Sequence, residues 1–452
     1  MSNSILNCNE EFLQSNQVNL QASIFSPHKR DHVLMLFLHF SDQSEAKAAT
    51  YEMLQSFGRN SEKRSGLYLT SSANQKQLTE ENPFHKPIFF NIFLTNEGLT
   101  YLGKRGRDWN KVKRHLRNYD SDIDNDKDSK DRPHALFLLA HDKDYELDYA
   151  MRELMDAWKE TKMTIIKEEW GQRYRKRYFS NQNKGFTVEH FGYADGLSNP
   201  WITNKDTERN DQPKSNTHWN PVADVKEFII QEPNEEGPEN NCGSYLVYRK
   251  YEQDVKRFQE QTKALADKTE YTPKQAGALV IGRHQNGLPL ALTLTGQEEV
   301  DMNDFTYKST DRCPFFAHTR KVNDRKNPKK TFRYPILRRG ITYGERSIVS
   351  SYNRELDMAT APSKGVGLLF MSFQDSISKF QNILKNSKKN HIDPLLGTMH
   401  TDEDITHNIP QLQDPDQTTP FKGLGQFIRP QGGYNLYVPS IIFFKELLQE
   451  ES

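Results

Sequence analysis

The sequence predicts an α+β fold made of two β/α sandwich units, and three observations support this prediction. The first half is predicted to run β-α-β-(short helix)-β-α-β, which is the split pattern of the ferredoxin-like fold. A similar alternation restarts after the polar stretch 203–220. The length of 452 residues also favours two units, because one hydrophobic core rarely organises so long a chain. We predict domains at 1–215 and 216–452.

The N-terminal unit is predicted from its apolar runs. Residues 33–40 form a continuous apolar run bounded by polar segments, which is typical of a buried strand. Further strands are predicted at 88–94, 135–140 and 163–166. Helices are predicted at 42–57, closed by Gly58, at 96–102, and along the apolar stripe Leu147, Ala150, Met151, Leu154 and Trp158.

The C-terminal unit has a less regular pattern. Strands are predicted at 244–248, 279–281, 366–373 and 434–438, with Phe427 as a further strand candidate. Helices are predicted at 251–265 and 377–384. The order of these elements fits a second β/α sandwich of the same kind.

Bulk properties exclude several partners. The formal net charge is zero, whereas nucleic-acid binders normally carry a basic excess. No run approaches the roughly 18 apolar residues that span a membrane, and no secretory signal is predicted. The acidic run 120–128 is predicted to be a solvated loop, since no EF-hand glycine or terminal Glu follows it. The three cysteines are far apart, which favours a reducing, cytoplasmic setting.

The stretch 190–200, HFGYADGLSNP, places one carboxylate between two glycines. Gly192 and Gly196 can adopt backbone angles that are closed to other residues, and the Asn-Pro pair ends the run. Asp195 is therefore predicted to lie on a tight turn facing a bound group. The alternative is a plain surface turn, because Asp-Gly is a common turn dipeptide.

Two later stretches, 311–323 (DRCPFFAHTRKVN) and 336–344 (ILRRGITYG), follow in order. With the Gly-x-x-Asp-Gly run, and with the segments 243–250 and 367–370, they resemble the dye-decolourising (DyP-type) haem peroxidases. The resemblance covers roughly the whole chain. It implies two ferredoxin-like domains of the dimeric α+β barrel type, with one haem b per chain between them, bound mainly by the C-terminal domain.

The resemblance implies that His318 is the iron ligand. His318 follows Phe-Phe-Ala and precedes Arg320, so an apolar side and a cationic side suit a macrocycle with two propionates. Arg320 is predicted to pair with a propionate, and Asp393 to accept the second ring hydrogen of His318. The alternatives are a hydrogen-bonded core histidine and an Asp-Pro turn residue. Cys313 is predicted to be a buried, inert thiol rather than a haem ligand.

On the opposite side, Asp195 is predicted to act as base and Arg338 as the cation that stabilises developing charge, with Arg338 also near a propionate. Arg339 is the adjacent alternative to Arg338. Leu368 and Phe370 are predicted to line the oxygen-binding side. Since an aspartate titrates near about 3.9 and an imidazole near about 6.5, activity is expected to persist into acid.

The predicted function is a haem-dependent peroxidase that reduces hydrogen peroxide and oxidises bulky aromatic donors such as anthraquinone dyes and phenols. Two alternatives are chlorite decomposition on a related fold and a non-enzymatic haem-binding or haem-handling protein. Asp324 and Thr342 depart from the family pattern, where proline is expected. The sequence leaves open the physiological donor, a homo-oligomeric state, and which Trp or Tyr would relay electrons from bulky donors.

Overall fold

The computed structural model of the chain describes fourteen stretches of sequence. They are residues 2–40, 68–71, 87–117, 132–159, 163–178, 185–208, 218–233, 241–297, 302–307, 312–325, 333–351, 354–388, 393–397 and 424–449. The predicted helix at 42–57, the acidic run at 120–128 and the domain boundary at 215–216 lie outside these residues. The boundary therefore stays a prediction.

Fifteen strands are described, in two sheets. They are β1 (His32–Phe40), β2 (Tyr68–Leu69), β3 (Phe89–Leu94), β4 (Ala135–His141), β5 (Met163–Gln172), β6 (Tyr174–Lys176), β7 (Phe186–Val188), β8 (Ile230–Gln231), β9 (Cys242–Gln253), β10 (Leu337–Arg338), β11 (Ile341–Tyr343), β12 (Ile348–Ser350), β13 (Glu355–Leu356), β14 (Gly367–Gln374) and β15 (Ile428–Val438). Strands β12, β13, β6 and β7 form the smaller sheet.

Eight strands of the larger sheet close into a barrel. Their order is β14-β11-β5-β1-β4-β3-β15-β9, and β9 returns to pair with β14. The N-terminal strands contribute β5-β1-β4-β3 and the C-terminal strands contribute β15-β9-β14-β11, so each half has the ferredoxin-like strand order. The halves join where Gly171 pairs with Tyr343 and where Leu94 pairs with Tyr437. The predicted α+β fold class is confirmed.

Nine α-helices surround the barrel within the described part of the chain. They are α1 (Ser2–Asn16), α2 (Asn96–Tyr101), α3 (Arg107–Arg117), α4 (Asp144–Ala157), α5 (Val255–Asp267), α6 (Pro273–Ile281), α7 (His318–Val322), α8 (Ile377–Lys388) and α9 (Ile441–Gln449). Short 3₁₀ segments occupy Asn204–Glu208 and Val225–Glu227. None of the described helices combines the length and apolar character that crossing a bilayer requires.

The barrel strands are buried on both faces. In β1, Val33 and Met35 belong to the cluster that fills the barrel, whereas Leu34 and Leu36 pack with the helices outside it. Burial of both faces explains why the first predicted strand is a continuous apolar run rather than an alternating one. Strand β14 is different, because Leu368 and Phe370 are only half-buried on its outer face.

In the C-terminal half, one predicted element was wrong and one begins later than predicted. Residues 279–281 end the helix α6 instead of forming a strand, because a short apolar run has the same appearance in a buried helix. Thr272 and Gln275 form a capping box at the start of α6, and Gly282 ends it with a φ of 90°. The helix predicted at 251–265 begins only at Val255, since 251–253 complete β9. Helices α1 and α3 were not predicted.

Candidate active site

The Asp195 turn is held by the backbone on both sides. Asp195 N donates to Thr187 O at 2.9 Å, and Ala194 N donates to Gln285 O at 2.8 Å. Gly192 has a φ of 89°, and a Cβ there would lie 2.3 Å from the methyl carbon of Met358. Gly192 is therefore required both for its backbone angle and for the close contact. The turn is packed against the body of the protein.

The carboxylate of Glu189 accepts hydrogen bonds from the backbone of this turn. One carboxylate oxygen accepts hydrogen bonds from Phe191 N at 2.9 Å and Gln253 Nε2 at 2.5 Å, and the other accepts from Tyr193 N at 2.9 Å. Burial raises the pKa of Glu189 to about 7, although its three donors oppose the shift. Sequence reasoning missed this residue, because a Glu before a His-Phe-Gly run has no distinctive spacing.

Asp195 and Arg338 lie together. Arg338 Nη1 is 3.7 Å from Asp195 Oδ1, and the two side chains are 36% and 31% exposed. Arg338 Nη2 also donates to Leu197 O, so the guanidinium contacts the turn at two points. Arg339 does not share this position, since its guanidinium donates to carbonyl oxygens that include Ser23 O. The structure therefore brings Arg338, of the two adjacent arginines, to Asp195.

The outer face of β14 lies beside this pair. Arg338 is opposite Ser372 in the β10–β14 pairing, and Leu368, Phe370 and Ser372 project from the same face of β14. Leu369 and Met371, which alternate with them, face the barrel interior. Leu368 and Phe370 are half-buried, and the Phe370 ring lies 5.4 Å from the ring of Phe380 on α8. The residues predicted to line the apolar side, Leu368 and Phe370, thus lie next to Asp195 and Arg338. These two residues are called the distal pair, because they are predicted to lie on the side of the haem opposite His318.

His318 is paired with Asp393. Its Nδ1 lies 2.7 Å from Asp393 Oδ2, and its side chain is 29% exposed while that of Asp393 is fully buried. Asp393 Oδ1 accepts a hydrogen bond from Leu395 N at 3.0 Å, which fixes the carboxylate. A carboxylate at Nδ1 makes that nitrogen the donor and leaves Nε2 with its lone pair. Nε2 is then the atom able to bind a metal.

Arg320 does not extend toward an open site in this arrangement. Its guanidinium donates to Cys313 O at 2.5 Å and lies 4.0 Å from the centre of the Phe315 ring. Pairing of Arg320 with a propionate therefore stays a prediction. Cys313 is fully buried, and burial raises its pKa to about 12, as expected of an inert thiol. At Thr342, where the family pattern has proline, the threonine hydroxyl donates to Gln172 O.

The segment that follows α6 contacts residues beside both His318 and Asp195. A Cβ at Gly282 would meet Thr319 Oγ1 and Ala317 Cβ beside His318, and one at Gly287 would meet Leu197 and Ala194 of the distal turn. The segment from 282 to 287 thus contacts both sides of the site. A histidine with an available Nε2, a half-buried apolar wall and an Asp–Arg pair together fit a flat apolar macrocycle with an iron centre.

Comparison with known proteins places this site in a family. Residues 189–401 match the family model described as "Dyp-type peroxidase, C-terminal". The chain is 27% identical to the multifunctional dye peroxidase DyP2 of Amycolatopsis sp., over 95% of each chain. It is 27% identical to the dye-decolorizing peroxidase msp1 of Mycetinis scorodonius, over 70% of this chain and 66% of that one.

A solved structure agrees along the chain. The crystal structure of a DyP-type peroxidase from Anabaena sp. superposes with a TM-score of 0.76 at 26% identity, covering 97% of this chain and 96% of that one. With the fold and the site, these similarities define the chain as a haem-dependent peroxidase. It belongs to the dye-decolourising (DyP-type) peroxidase family. The predicted family, enzyme class and cofactor are confirmed, whereas the individual site residues stay predictions.

Proposed function

We propose that this chain oxidises bulky aromatic donors, including anthraquinone dyes and phenols, at the expense of hydrogen peroxide. Each peroxide molecule takes up two electrons and two protons to form two molecules of water, and two donor molecules lose one electron each. The relatives named as dye peroxidases support this choice of donor. The observation that carries the proposal is the Asp195–Arg338 contact of 3.7 Å beside the apolar wall of β14.

We propose that His318 Nε2 binds the haem iron and that Asp393 holds the imidazole. When bound, haem supplies the redox-active iron at which peroxide is reduced. Asp393 accepts the Nδ1 hydrogen, which sets the tautomer and orientation of the ring and makes Nε2 more electron-rich. Leu368 and Phe370 would line the apolar side of the pocket, and Arg338 would lie toward the propionates.

Asp195 is proposed as the proton carrier. Its carboxylate takes a proton from hydrogen peroxide and delivers it to the oxygen that leaves as water. Arg338, held at 3.7 Å from that carboxylate, stabilises the negative charge that develops on the oxygens. Because Gly196 N donates to Asp195 Oδ1 at 2.6 Å, one carboxylate oxygen is fixed in direction before peroxide arrives.

We also propose a reducing, cytoplasmic setting. Cys8, Cys242 and Cys313 are all free thiols. Unpaired cysteines are usual where glutathione and thioredoxin keep thiols reduced. Cell fractionation tests this placement directly. We expect the protein in the cytoplasmic fraction, and its recovery outside the cell membrane would contradict the proposal.

The test of the function uses the haem-loaded protein and two Asp→Asn variants. Asp195→Asn should keep the Soret band but react with one equivalent of peroxide at least about 100-fold more slowly, as expected when a proton carrier is lost. Asp31→Asn is the matched control, because Asp31 is also a half-buried partner of an arginine, Arg175 at 2.6 Å. If the two variants react at the same rate, Asp195 is not the base. A Soret band indifferent to peroxide in the parent would instead indicate a haem-handling protein.

A further inference from the structure

Two residues near the site have backbone angles that disfavour side chains. Ser198, three residues after Asp195, has a φ of 61°, and Arg325, seven residues after His318, has a φ of 44°. Non-glycine residues in this region are uncommon, and they persist only where the surroundings hold them in place. The two residues also contact each other, since Arg325 Nη2 donates to Ser198 Oγ at 3.2 Å.

The Ser198 hydroxyl is the centre of a buried hydrogen-bond junction. Ser198 Oγ donates to Asn303 Oδ1 at 2.6 Å and accepts from Arg283 Nη2 at 2.8 Å as well as from Arg325. Arg283 Nη2 also donates to Asn303 Oδ1 at 2.9 Å. Arg283, Asn303 and Arg325 are all buried. The hydroxyl of Ser198, on the turn that carries Asp195, therefore accepts hydrogen bonds from two guanidinium groups.

Aromatic rings hold Arg325 rigidly at this junction. Its guanidinium lies 3.8 Å from the Trp219 ring centre and 3.9 Å from that of Phe305. Its Nη1 donates to Asn303 O at 2.5 Å. The guanidinium is buried, and this burial lowers the pKa of Arg325 to about 9. A cation stacked between two rings has little freedom to follow a moving turn.

The junction joins the distal turn to the segments beside His318. Arg325 lies just past the end of α7, which begins at His318. Arg283 follows Gly282, whose α-carbon packs against Thr319 on the same helix. The hydrogen bonds of Ser198 to Arg283 and Arg325 therefore connect the turn that carries Asp195 to the helix that carries His318. The two arginines belong to separate stretches of the chain.

We infer that Ser198 is a positioning residue that, through Arg283 and Arg325, sets where Asp195 stands relative to His318. The inference rests on the proposed roles of Asp195 and His318. Removing the hydroxyl releases the turn without removing either residue. Since misplacing a reacting group by about 1 Å can cost about 100-fold in rate, loss of these hydrogen bonds should slow the peroxide reaction while leaving haem binding intact.

The test substitutes Ser198→Gly, because glycine adopts the observed angle without strain while the hydroxyl is lost together with its Cβ. The control is Ser244→Ala, which removes a buried serine hydroxyl on β9 whose bonds, to Phe228 O at 2.7 Å and to Gln374 O at 3.4 Å, lie outside the Ser198 junction. Haem affinity, thermal unfolding, the peroxide reaction and cyanide binding to the ferric protein are measured for both. Cyanide is included because hydrogen cyanide must give up a proton on binding, which reports on the distal base without turnover.

Ser198→Gly is expected to slow both the peroxide reaction and cyanide association about 10-fold or more, with unchanged haem affinity and no greater loss of thermal stability than Ser244→Ala. Arg325→Lys, which keeps the charge but loses the forked donors, should slow both reactions in the same direction. It decides the question should Ser198→Gly fail to fold.

Each outcome distinguishes the inference from the proposed function. If Ser198→Gly or Arg325→Lys folds and reacts like the parent while Asp195→Asn is slow, the inference is wrong and the function stands. The inference is equally wrong if thermal stability falls and both reaction rates stay unchanged. If Asp195→Asn itself reacts like the parent with peroxide, the proposed site is wrong, and the positioning role falls with it.

Discussion

The side chain of Asn199 binds the backbone of Arg338 at both of its polar groups. Arg338 N donates to Asn199 Oδ1 at 3.1 Å, and Asn199 Nδ2 donates to Arg338 O at 3.3 Å. The amide thus occupies the position that a neighbouring strand would occupy beside β10. Since Asn199 is four residues after Asp195, the same short loop carries one member of the distal pair and holds the other.

Asn199→Ala should therefore slow the peroxide reaction about 10-fold or more and destabilise the protein by about 1–2 kcal/mol, the usual net contribution of one or two hydrogen bonds. Stopped-flow absorbance and urea unfolding measure the two effects. Asn9→Ala is the control, because Asn9 on helix α1 also bonds a backbone N–H, that of Val225, and a backbone C=O, that of Ala223. Equal peroxide rates in the two variants would contradict the role given to Asn199.

The pH dependence of the peroxide reaction should differ from that of an enzyme with a histidine base. An aspartate base and a histidine base lose activity over different pH ranges, because carboxyl groups ordinarily titrate near about 3.9 and imidazoles near about 6.5. The bimolecular rate measured from pH 3 to 8 should keep at least half of its neutral value at pH 5. A collapse with an apparent pKa near 6.5, retained when Glu189 is replaced by Gln, would show that Asp195 is not the base.

Glu189 should make the stability of the fold depend on pH. Its pKa is raised by burial to about 7, whereas an unfolded Glu titrates near about 4.3. Between these values the folded form binds the proton more tightly, so the stabilising contribution is full below about pH 4.3 and is lost as pH rises to 7. The loss across this window should be roughly 3–4 kcal/mol.

Glu189→Gln is neutral at every pH and should remove this dependence. The variant also loses an acceptor for Phe191 N or Tyr193 N, which lowers stability by a constant amount. The measurement is therefore the difference in unfolding free energy between parent and variant at pH 5, 6, 7 and 8. That difference should shift in favour of the variant as pH rises. A constant difference, like that expected for the exposed control Glu260→Gln, would refute the titration of Glu189.

Asp393→Asn should change the reduction potential of the haem iron without abolishing haem binding. The carboxylate that accepts the His318 Nδ1 hydrogen makes the ligand more electron-rich, so its neutralisation should shift the ferric/ferrous midpoint potential to more positive values. Haem affinity should fall by about 10–100-fold. Spectroelectrochemistry and haem titration measure the two. Asp254→Asn, a buried aspartate that caps α5 through Arg257 N, should leave the potential unchanged. An unchanged potential in Asp393→Asn would remove Asp393 from the haem site.

His318→Ala removes the proposed iron ligand and should abolish stable haem retention after gel filtration, with the far-ultraviolet circular dichroism spectrum unchanged. His39→Ala is the control, since His39, near the end of β1, stacks on His134. Retention of a normal Soret band by His318→Ala would show that another residue binds the iron.

Local pattern was sufficient for much of the fold. Strand β1 was predicted because residues 33–38 are all apolar, and the helix α4 because its apolar residues repeat at helical spacing. These signals depend on neighbours within a few residues. The run at 279–281 failed because three apolar residues are compatible with either period, and the capping box at Thr272 that favours a helix was overlooked.

What the sequence by itself determined was the order of the elements, the tight turn at Asp195 and the motifs that mark the family. Gly192 and Gly196 dictate that turn locally, through backbone angles that need no distant partner. The tertiary structure alone decided which of two adjacent arginines meets Asp195, that Arg320 turns toward Cys313, and that Ser198 is gripped by Arg283 and Arg325. The physical reason is that the conformation of a turn depends on neighbouring residues, whereas the partner of a side chain depends on which distant segments the closed barrel brings within hydrogen-bond distance.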